Sequence, residues 1–550
     1  MHPARGIASE PPEPLDAALA RQAALVDALA RTLRANGRRV QRFETHVSWV
    51  IVADDEAWKL KKAVRPAFLD FGTLARRHRA CEAELRVNRP FAPQLYLGVV
   101  PIAGVPRHPV AGAAGPVLEW ALHMRAFPQE ARWDRLVRHG ELRRDHVDAL
   151  ARRLAALHAQ APVAGAGRPR VPVDPVGHAL AQQRATLDAL ASLLCDADDR
   201  ARLARLAQRL RARAPWRAAV GAERLVAGRY RECHGDLHLA NLLWLDGQPV
   251  LFDAIEFDPG LRWIDTIADL AFASMDLGRH GRADLGRRLV DVYLAESGDY
   301  DGTRVLLDCE ADRALVRALV AAMREIGRDR RGGAAAGRGG AARAPWRPYL
   351  ATALAATEPR QPVLFITHGF SGSGKSTRAE GLVEAVGAIR IRADVERKRL
   401  HGLAPTAVSR SDERAGLYGA QATQATYARL YALAVPVLRG GCDAVLDATF
   451  LQRAERDRAR SVAVRLGVSL VILDFPVSRR RLRARVAARA ARVGEVSEAG
   501  PAVLEAQFAA AQALAADEVQ AVVRVTAAGR RADPGRGSPR LWRRLRAAVR

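Results

Sequence analysis

The chain of 550 residues is poor in cysteine, in aromatic residues and in long apolar runs. Its five cysteines are scattered, without a CxxC pair or a nearby histidine cluster, which argues against a structural zinc site and a disulfide framework. No uninterrupted apolar stretch is long enough to cross a bilayer, and the polar, proline-rich first residues do not resemble a signal peptide. We therefore expect a soluble, cytoplasmic protein without a membrane partner.

The composition is strongly basic, with 86 Lys and Arg residues against 60 Asp and Glu residues and a formal net charge of +26. Such a charge suits phosphate-rich partners, including nucleic acid. The arginines are spread along the whole chain, and the aromatic fraction of 5% offers no evident platform for stacked bases. A nucleic-acid partner is therefore kept as an alternative and is not favoured.

Length and composition predict two domains joined by a linker. The chain is too long for one ordinary domain, and its hydrophobic fraction of 49% is normal for globular cores. Residues 328–347 consist mainly of Gly, Ala and Arg and cannot build a core, so we place a linker at residues 336–360. The domains are then residues 1–335 and 361–527. The arginine-rich residues 528–550 form either a basic tail, which we favour, or a basic amphipathic helix.

The first domain combines strands with helices. Residues 48–53 and 57–61 have the composition of two strands, and the acidic residues between them suit a hairpin turn. Helical periodicity dominates from residue 142 onwards. We expect a strand-rich small lobe at about residues 36–125 and a helix-rich large lobe at about residues 126–335.

The most specific motif follows an apolar, strand-like run at residues 363–367. Residues 369–377 read GFSGSGKST and match GxxxxGK[ST] in full. Glycines allow backbone N–H groups to surround phosphates, and the following helix directs its positive end at the anion. The lysine is expected to reach the β- and γ-phosphates of ATP or GTP, and the hydroxyl after it to bind magnesium. The candidate nucleotide-binding residues are Gly369, Gly372, Ser373, Gly374, Lys375, Ser376 and Thr377, with Ser376 also the candidate magnesium ligand.

Further candidate residues follow the strands of this second domain, where alternating strands and helices predict a parallel sheet. Asp394 follows a short strand and is a candidate base for a substrate hydroxyl, the N-cap of a helix that begins at Val395, or both. Arg397 is a candidate to bind a substrate phosphate or carboxylate. Asp447 ends an apolar strand, where a carboxylate suits a magnesium ion and its waters.

An arginine-rich segment at residues 479–492 has the spacing of a helical lid over a transferred phosphoryl group. Arg485 and Arg489 are the lid candidates, although a solvated helix face would show the same pattern. Together with the glycine-rich motif, Asp394, Arg397 and the strand-end carboxylate, this segment resembles the gluconate-kinase-like and polynucleotide-kinase-like P-loop kinases.

A second motif lies at residues 231–241, which read RECHGDLHLAN. Asp253 follows twelve residues after Asn241, at the end of an apolar strand. The spacing HGDxxxxN, then strand and Asp, resembles the catalytic core of aminoglycoside phosphotransferases, which share their architecture with protein kinases. The resemblance implies Asp236 as the base, Asn241 and Asp253 as magnesium ligands, and His234 as a supporting residue of the loop. An ordinary surface turn with Asp and Asn caps is the alternative.

The same resemblance implies a lysine in the small lobe that binds the nucleotide phosphates. Lys59 and Lys61 lie two residues apart and share one face of a strand, with a slight preference for Lys61. Glu84 is the expected helix partner of that lysine, and Glu82 is the alternative. Asp269 resembles the structural Asp that braces the catalytic loop. No glycine-rich loop precedes the first strand.

The order of these motifs resembles the bacterial proteins described as bifunctional aminoglycoside phosphotransferase/ATP-binding proteins. The resemblance implies an α+β two-lobed, protein-kinase-like domain followed by an α/β P-loop domain with a parallel sheet. We expect an enzyme that uses ATP and Mg²⁺ and transfers the γ-phosphoryl group to a hydroxyl of a small molecule. Two alternatives stay open: the first domain is a non-catalytic sensor that regulates the P-loop kinase, or the P-loop domain is a polynucleotide 5′-hydroxyl kinase.

Overall fold

The computed structural model describes residues 14–65, 69–165, 171–329, 344–405, 407, 419–490, 500–525 and 539–548, with the side chains of residues 327–329 and 489–490 excepted. In chain order the helices are α1 (Leu15–Ala35), α2 (Leu74–Asn88), α3 (Trp133–His139), α4 (Arg144–Gln160), α5 (Pro175–Leu193), α6 (Ala197–Val226), α7 (Thr266–Arg279), α8 (Ala283–Ser297), α9 (Thr303–Asp329), α10 (Arg347–Ala356), α11 (Lys375–Val386), α12 (Ala393–Leu400), α13 (Ala420–Arg439), α14 (Arg453–Leu466), α15 (Arg479–Ala490), α16 (Pro501–Ala510) and α17 (Pro539–Ala548). The strands are β1 (Val40–Glu44), β2 (Ser48–Ala53), β3 (Glu56–Lys61), β4 (Tyr96–Val105), β5 (His108–Ala111), β6 (Val117–Arg125), β7 (Tyr230–Glu232), β8 (Leu242–Leu245), β9 (Gln248–Leu251), β10 (Trp263–Asp265), β11 (Val363–His368), β12 (Ile389–Arg392), β13 (Ala444–Asp447), β14 (Ser469–Asp474) and β15 (Val522–Arg524).

The chain divides into two compact units whose boundaries differ from the predicted domains. The first unit comprises residues 1–139 and 234–262, and the second comprises residues 140–233 and 263–550. The helices after residue 140 and the P-loop region therefore belong to one unit, because α8 packs against α11 and β12. The predicted domains at residues 1–335 and 361–527 stay a prediction.

The first unit is built on a six-stranded antiparallel sheet in the order β1-β2-β3-β6-β4-β5. Strands β2 and β3 form the predicted hairpin, with Ala53 opposite Glu56. The amphipathic α1 buries Val26 and Leu29 against the same core as Ile51 of the sheet. A smaller hairpin, β8 and β9, completes the unit.

The second unit contains the helices α4 to α9, the short antiparallel pair β7 and β10, and a five-stranded parallel sheet. The parallel sheet has the order β12-β13-β11-β14-β15, so β11 lies between β13 and β14. Phe365, Val445 and Val471 from these three strands share one core. Parallel strands are covered on both faces, which explains the continuous apolar run in β11. Among the described residues, no helix has both the length and the apolar character required to span a membrane.

The predicted linker at residues 336–360 is wrong for its second half, because α10 occupies residues 347–356. Leu350 and Ala353 are buried where α10 packs against α9. Arg347 binds the buried Asp199 of α6, with Nη2 2.7 Å from Oδ2. Ala and Leu, which favour helices, make up most of α10, and tertiary packing stabilises this short helix. Residues 336–343 lie outside the described residues.

The prediction of a basic tail at residues 528–550 is also wrong for residues 539–548, which form the amphipathic helix α17. Trp542 and Leu545 are buried in the core that contains Phe365 and Leu382. Arg546 stabilises the same helix by an ion pair between its Nε and Asp443 Oδ2 at 2.5 Å. The apolar residues of α17 supply part of the P-loop core, which is why this end of the chain is ordered as a helix. Residues 528–538 and 549–550 lie outside the described residues.

We expect Trp542→Ala to lower the free energy of unfolding of the second unit by about 3–5 kcal/mol, because it removes a large, fully buried side chain. Urea denaturation followed by circular dichroism measures the change. Leu541→Ala is the matched control, since Leu541 lies on the same helix and is 47% exposed. An equal loss of stability in both variants would show that α17 does not complete this core.

Candidate active sites

In the first unit, the loop at residues 234–241 is held in place by His234 and Gly235. His234 Nε2 donates a hydrogen bond to the Phe252 carbonyl at 2.9 Å, and its Nδ1 accepts one from the backbone N–H of Asp236 at 3.3 Å. Gly235 has φ of 86°, and a Cβ there would lie 2.6 Å from the Leu261 carbonyl oxygen, so only glycine fits. These contacts determine the position of the backbone that carries Asp236.

The structure brings Asp236, Asn241 and Asp253 to one place. Asn241 Nδ2 donates to the Asp236 carbonyl at 3.0 Å and to its Oδ2 at 3.1 Å. The backbone N–H of Phe252 donates to the Asn241 carbonyl at 3.1 Å, which joins the loop to the residue before Asp253. Asp253 has φ of 61°, an uncommon conformation for a residue other than glycine and one that concentrates at functional sites. Its backbone N–H donates to the Tyr96 hydroxyl at 3.0 Å.

Two lysines of β3 share the carboxylate of Glu84. Lys59 Nζ lies 2.7 Å from Glu84 Oε1 and 2.7 Å from Asp253 Oδ1. Lys61 Nζ lies 2.5 Å from Glu84 Oε2 and also forms an ion pair with Glu256. The motifs of the sequence do not identify Glu256 as a candidate residue. Lys61 is 1% exposed, whereas Lys59 contacts the candidate metal ligand Asp253. The geometry therefore favours Lys59, and not the slightly preferred Lys61, as the lysine for a nucleotide phosphate.

The electrostatics of this group keep Glu84 and Lys59 charged. Burial raises the pKa of Glu84, but the charges of Lys59 and Lys61 outweigh it and lower that pKa to about 2. Burial lowers the pKa of Lys59, yet Asp253 and Glu84 together hold it well above its ordinary value. At neutral pH Lys59 is therefore a cation, which is what binding a nucleotide phosphate requires.

Asp269 lies in the second unit, fully buried on α7. Its Oδ2 is 3.4 Å from His158 Nε2, and His158 Nδ1 lies 2.8 Å from the Tyr293 hydroxyl. Cys233 is also near, with its Sγ within 4.8 Å of the His158 and Asp269 donor atoms. Burial raises the pKa of the Cys233 thiol well above its ordinary value, which disfavours the thiolate that metal binding requires. A bracing role of Asp269 for the catalytic loop stays a prediction.

The glycine-rich motif of the second unit forms a loop between β11 and α11. Gly369, Gly372 and Gly374 have φ values of 147°, 82° and 89°, which residues with a Cβ rarely adopt. Lys375 is the first residue of α11, and its Nζ donates to the Phe370 carbonyl of the same loop at 2.8 Å. The loop therefore has the backbone form that surrounds phosphates, with the lysine folded over it.

Hydroxyl residues and one carboxylate lie around this loop. Ser376 and Thr377 occupy the first turn of α11. Asp447 ends β13, which pairs in parallel with β11, so its carboxylate lies at the same sheet edge as the loop. Ser373 Oγ and Asp447 Oδ2 are buried and make no hydrogen bond with any residue that the structure describes. Buried oxygen atoms without a partner fit a metal ion or its waters.

Asp394 and its neighbours occupy the next strand end. The helix begins at Ala393, so Asp394 is inside its first turn and is not the N-cap. Asp394 Oδ2 lies 2.9 Å from Arg392 Nη2, a partner that the sequence did not indicate. Burial raises the pKa of Asp394, but Arg392 reverses this and the pKa is lowered, so the group is a carboxylate at neutral pH. Arg397 Nη1 donates to Thr423 Oγ1 at 3.1 Å.

The predicted lid is the helix α15, and α16 packs beside it. Arg485 Nη1 donates to the Gly372 carbonyl at 3.2 Å, so this arginine reaches the phosphate-binding loop. The side chain of Arg489 lies outside the described residues. On α16, Gln507 accepts a hydrogen bond from the Ser371 backbone N–H at 2.9 Å. A single glutamine far from the motif has no sequence pattern that would identify it.

The sequence matches two family models in the same order as the sites. Residues 52–306 match the phosphotransferase enzyme family, and residues 364–514 match an AAA domain. The chain belongs to the phosphotransferase enzyme family. Uncharacterized proteins of Mycobacterium tuberculosis and Mycobacterium bovis are 32% identical to it over 423 residues, which is 76% of this chain and 80% of each relative. The chain is thus a kinase-type enzyme with a protein-kinase-like fold in its N-terminal part, followed by a P-loop domain.

Solved structures are similar to this chain over part of its length. A choline/ethanolamine kinase family protein from Mesorhizobium loti is 14% identical, with 62% of this chain and 99% of that chain covered and a TM-score of 0.36. A gluconokinase from Sinorhizobium meliloti 1021 is 21% identical, with 35% of this chain and 100% of that chain covered and a TM-score of 0.22.

The depressed pKa of Glu84 makes stability depend on pH. The pKa falls from 4.5 to about 2 on folding, so the stabilisation is complete above pH 4.5 and is lost as the pH falls through 2. The free energy of unfolding of the parent is therefore expected to decline as the pH falls from 4.5 to 2. In Glu84→Gln this decline should be smaller by about 3 kcal/mol. Urea denaturation at a series of pH values measures this.

The matched control is Glu82→Gln on the same helix, because Glu82 is 56% exposed and lies beside His78. It is expected to keep the full decline with falling pH. A decline that is the same in the parent and in Glu84→Gln would contradict the charge assignment of the two-lysine group.

Proposed function

We propose that the chain is an ATP-dependent kinase with two phosphoryl-transfer sites, each of which passes the γ-phosphoryl group to a hydroxyl of a small molecule. The observation that carries the proposal is Lys59, whose ammonium group contacts both Glu84 and Asp253. A lysine held by a helix glutamate beside a metal-binding aspartate is the arrangement that kinase-type transfer requires. We place the reaction in the cytoplasm, where the five free cysteines would stay reduced.

At the first site, the residues have distinct roles. Asp236 accepts the proton of the acceptor hydroxyl, and its position is maintained by Asn241. Asp253 and the Asn241 Oδ1 atom would hold Mg²⁺, because oxygen donors are its preferred ligands and the amide nitrogen of Asn241 is occupied by Asp236. Lys59 binds the phosphates. The metal, when bound, neutralises charge that develops on the transferred group.

At the second site, the backbone N–H groups of the glycine-rich loop and Lys375 bind the phosphates. Ser376 and Asp447 would hold Mg²⁺, a role that the unpartnered, buried Asp447 Oδ2 supports. Asp394 orients the acceptor hydroxyl by accepting its hydrogen bond. Its pairing with Arg392 makes it a weak base, but a loose phosphoryl-transfer transition state needs orientation more than deprotonation. Arg397 is placed to bind an anionic group of the acceptor.

A small-molecule acceptor is favoured over nucleic acid because much of the positive charge around the second site is already neutralised. Arg390 pairs with Asp291, Arg392 with Asp394, and Arg456 with Glu518. Guanidinium groups held by carboxylates within the protein contribute little to a phosphate-binding surface. The net charge of +26 is therefore a weak indication of a nucleic-acid partner.

Replacing one residue in each site should separate the two activities. We expect Asp236→Asn to abolish transfer at the first site, and Lys375→Met to abolish it at the second, each by about 100-fold or more. Transfer from γ-labelled ATP to aminoglycosides, polyols, sugars and oligonucleotides measures both activities. Each variant is the control for the other, because each should leave transfer at the unchanged site unaffected.

The outcomes distinguish the alternatives. Transfer that is unchanged in Asp236→Asn would make the first site a non-catalytic sensor. Labelling of free 5′ hydroxyls on oligonucleotides, lost in Lys375→Met, would make the second site a polynucleotide kinase. A chain that binds no ATP with magnesium by calorimetry would refute the proposal.

The two lysines of β3 should differ in their effects. Both variants are made in a Lys375→Met chain, in which only the first site binds ATP and transfers phosphoryl groups. Lys59→Met is expected to weaken ATP binding and transfer by about 100-fold, because its phosphate contact is lost. Lys61→Met is expected to lower the free energy of unfolding by about 3 kcal/mol, since Glu84 and Glu256 lose a buried partner, with ATP affinity changed only a few-fold.

Calorimetric titration with ATP and urea denaturation measure the two quantities separately. The opposite result, with ATP affinity lost in Lys61→Met and retained in Lys59→Met, would restore Lys61 as the nucleotide lysine.

A further inference from the structure

Helix α8 lies within the segment that matches the phosphotransferase family, yet it packs against two elements of the P-loop region. These elements are α11, which begins at Lys375, and β12, which leads to Asp394. All three belong to the second compact unit. The element that begins with the phosphate-binding lysine and the strand that precedes the candidate acceptor-binding carboxylate thus share one neighbour from outside the P-loop segment.

The first link between α8 and the P-loop site runs through Arg390 of β12. Its Nη2 lies 3.0 Å from Asp291 Oδ2 on α8, and its backbone N–H donates to Asp291 Oδ1 at 3.2 Å. Its Nη1 donates to the carbonyl of Ser376 in the first turn of α11 at 3.1 Å. Both charged side chains are buried. One guanidinium group therefore connects α8 to the residue proposed to hold magnesium.

The second link holds the other end of α11. Arg287 Nη1 on α8 donates to the carbonyls of Glu384 and Ala385 at 3.0 and 2.6 Å. Arg288 Nη1 lies 3.1 Å from Glu384 Oε1. Carbonyl groups in the last turn of a helix lack partners within the helix, and cations there are stabilising. Helix α8 thus binds α11 at its last turn directly and at its first turn through Arg390.

We propose that Asp291 is a positioning residue for the P-loop site, so that nucleotide binding there depends on a helix of the phosphotransferase segment. The inference rests on the proposed function of the P-loop site. Asp291 holds the Arg390 side chain and orients it towards Ser376. Without that carboxylate, Arg390 keeps only Glu380 as an ion-pair partner among the described residues. More of its charge then acts on Asp447 and Asp394. Attraction of Asp447 to the guanidinium competes with its role at the metal.

The test uses the full chain with Asp291→Asn, which keeps the shape of the side chain and removes its charge. ATP binding at the P-loop site is measured by calorimetry with magnesium in a Lys59→Met chain, and binding at the first site in a Lys375→Met chain. We expect affinity at the P-loop site to fall about tenfold, and affinity at the first site to stay unchanged. A loss of folding alone would not produce this difference between sites.

The matched control is Asp308→Asn, because Asp308 is equally buried and its two hydrogen bonds from Arg213 join α6 to α9. This control should lose stability without a change in affinity at the P-loop site. Arg287→Met removes the Arg287 contacts of the second link and leaves Arg288 in place. It is expected to weaken binding at the P-loop site in the same direction, which keeps the test decisive if Asp291→Asn folds poorly.

The possible failures are distinguishable. Nucleotide affinity at the P-loop site that is unchanged in Asp291→Asn and Arg287→Met, or that falls equally in Asp308→Asn, would overturn this inference alone. A Lys59→Met chain that binds no nucleotide at all would overturn the proposed function of the P-loop site and this inference with it.

Discussion

The charged group around Glu84 is the interaction on which the first site depends. Its carboxylate has no exposed surface and lies between two ammonium groups, Lys59 and Lys61. A buried charge is tolerated only when it is paired, so the helix that carries Glu84 and the strand that carries the lysines are held in one arrangement. That arrangement also places Lys59 against Asp253, whose own backbone conformation is uncommon. The ion pairs that satisfy the buried Glu84 therefore also determine the geometry of the site.

The P-loop site follows a related principle with arginine in place of lysine. Arg392 neutralises Asp394, and Arg390 is held by Asp291 from a helix outside the P-loop segment. Asp447 differs, because one of its oxygens is buried without a partner among the described residues. An oxygen of this kind suits the cation that we propose for this site. The two candidate sites thus differ in how their charges are paired.

Local sequence patterns predicted the site residues better than they predicted the bounds of the linker and the tail. The spacing of Asp236, Asn241 and Asp253 identified residues that the structure brings together, because motif spacing reflects a short, locally folded loop. The linker and tail predictions failed at α10, which is rich in Ala and Leu, and at α17, where a few apolar residues lie among arginines. Composition describes the average of a segment, whereas burial of Trp542 depends on a core formed by distant strands.

The sequence by itself determined the two motifs, the order of the two family segments and the elements that carry them, since each depends on neighbouring residues. Only the tertiary structure decided which β3 lysine contacts Asp253, that Arg392 pairs with Asp394, and that Asp291 holds Arg390. Lys59 and Lys61 are equivalent in a strand pattern of period two. They become different only when Asp253, 194 residues further along the chain, is placed beside one of them.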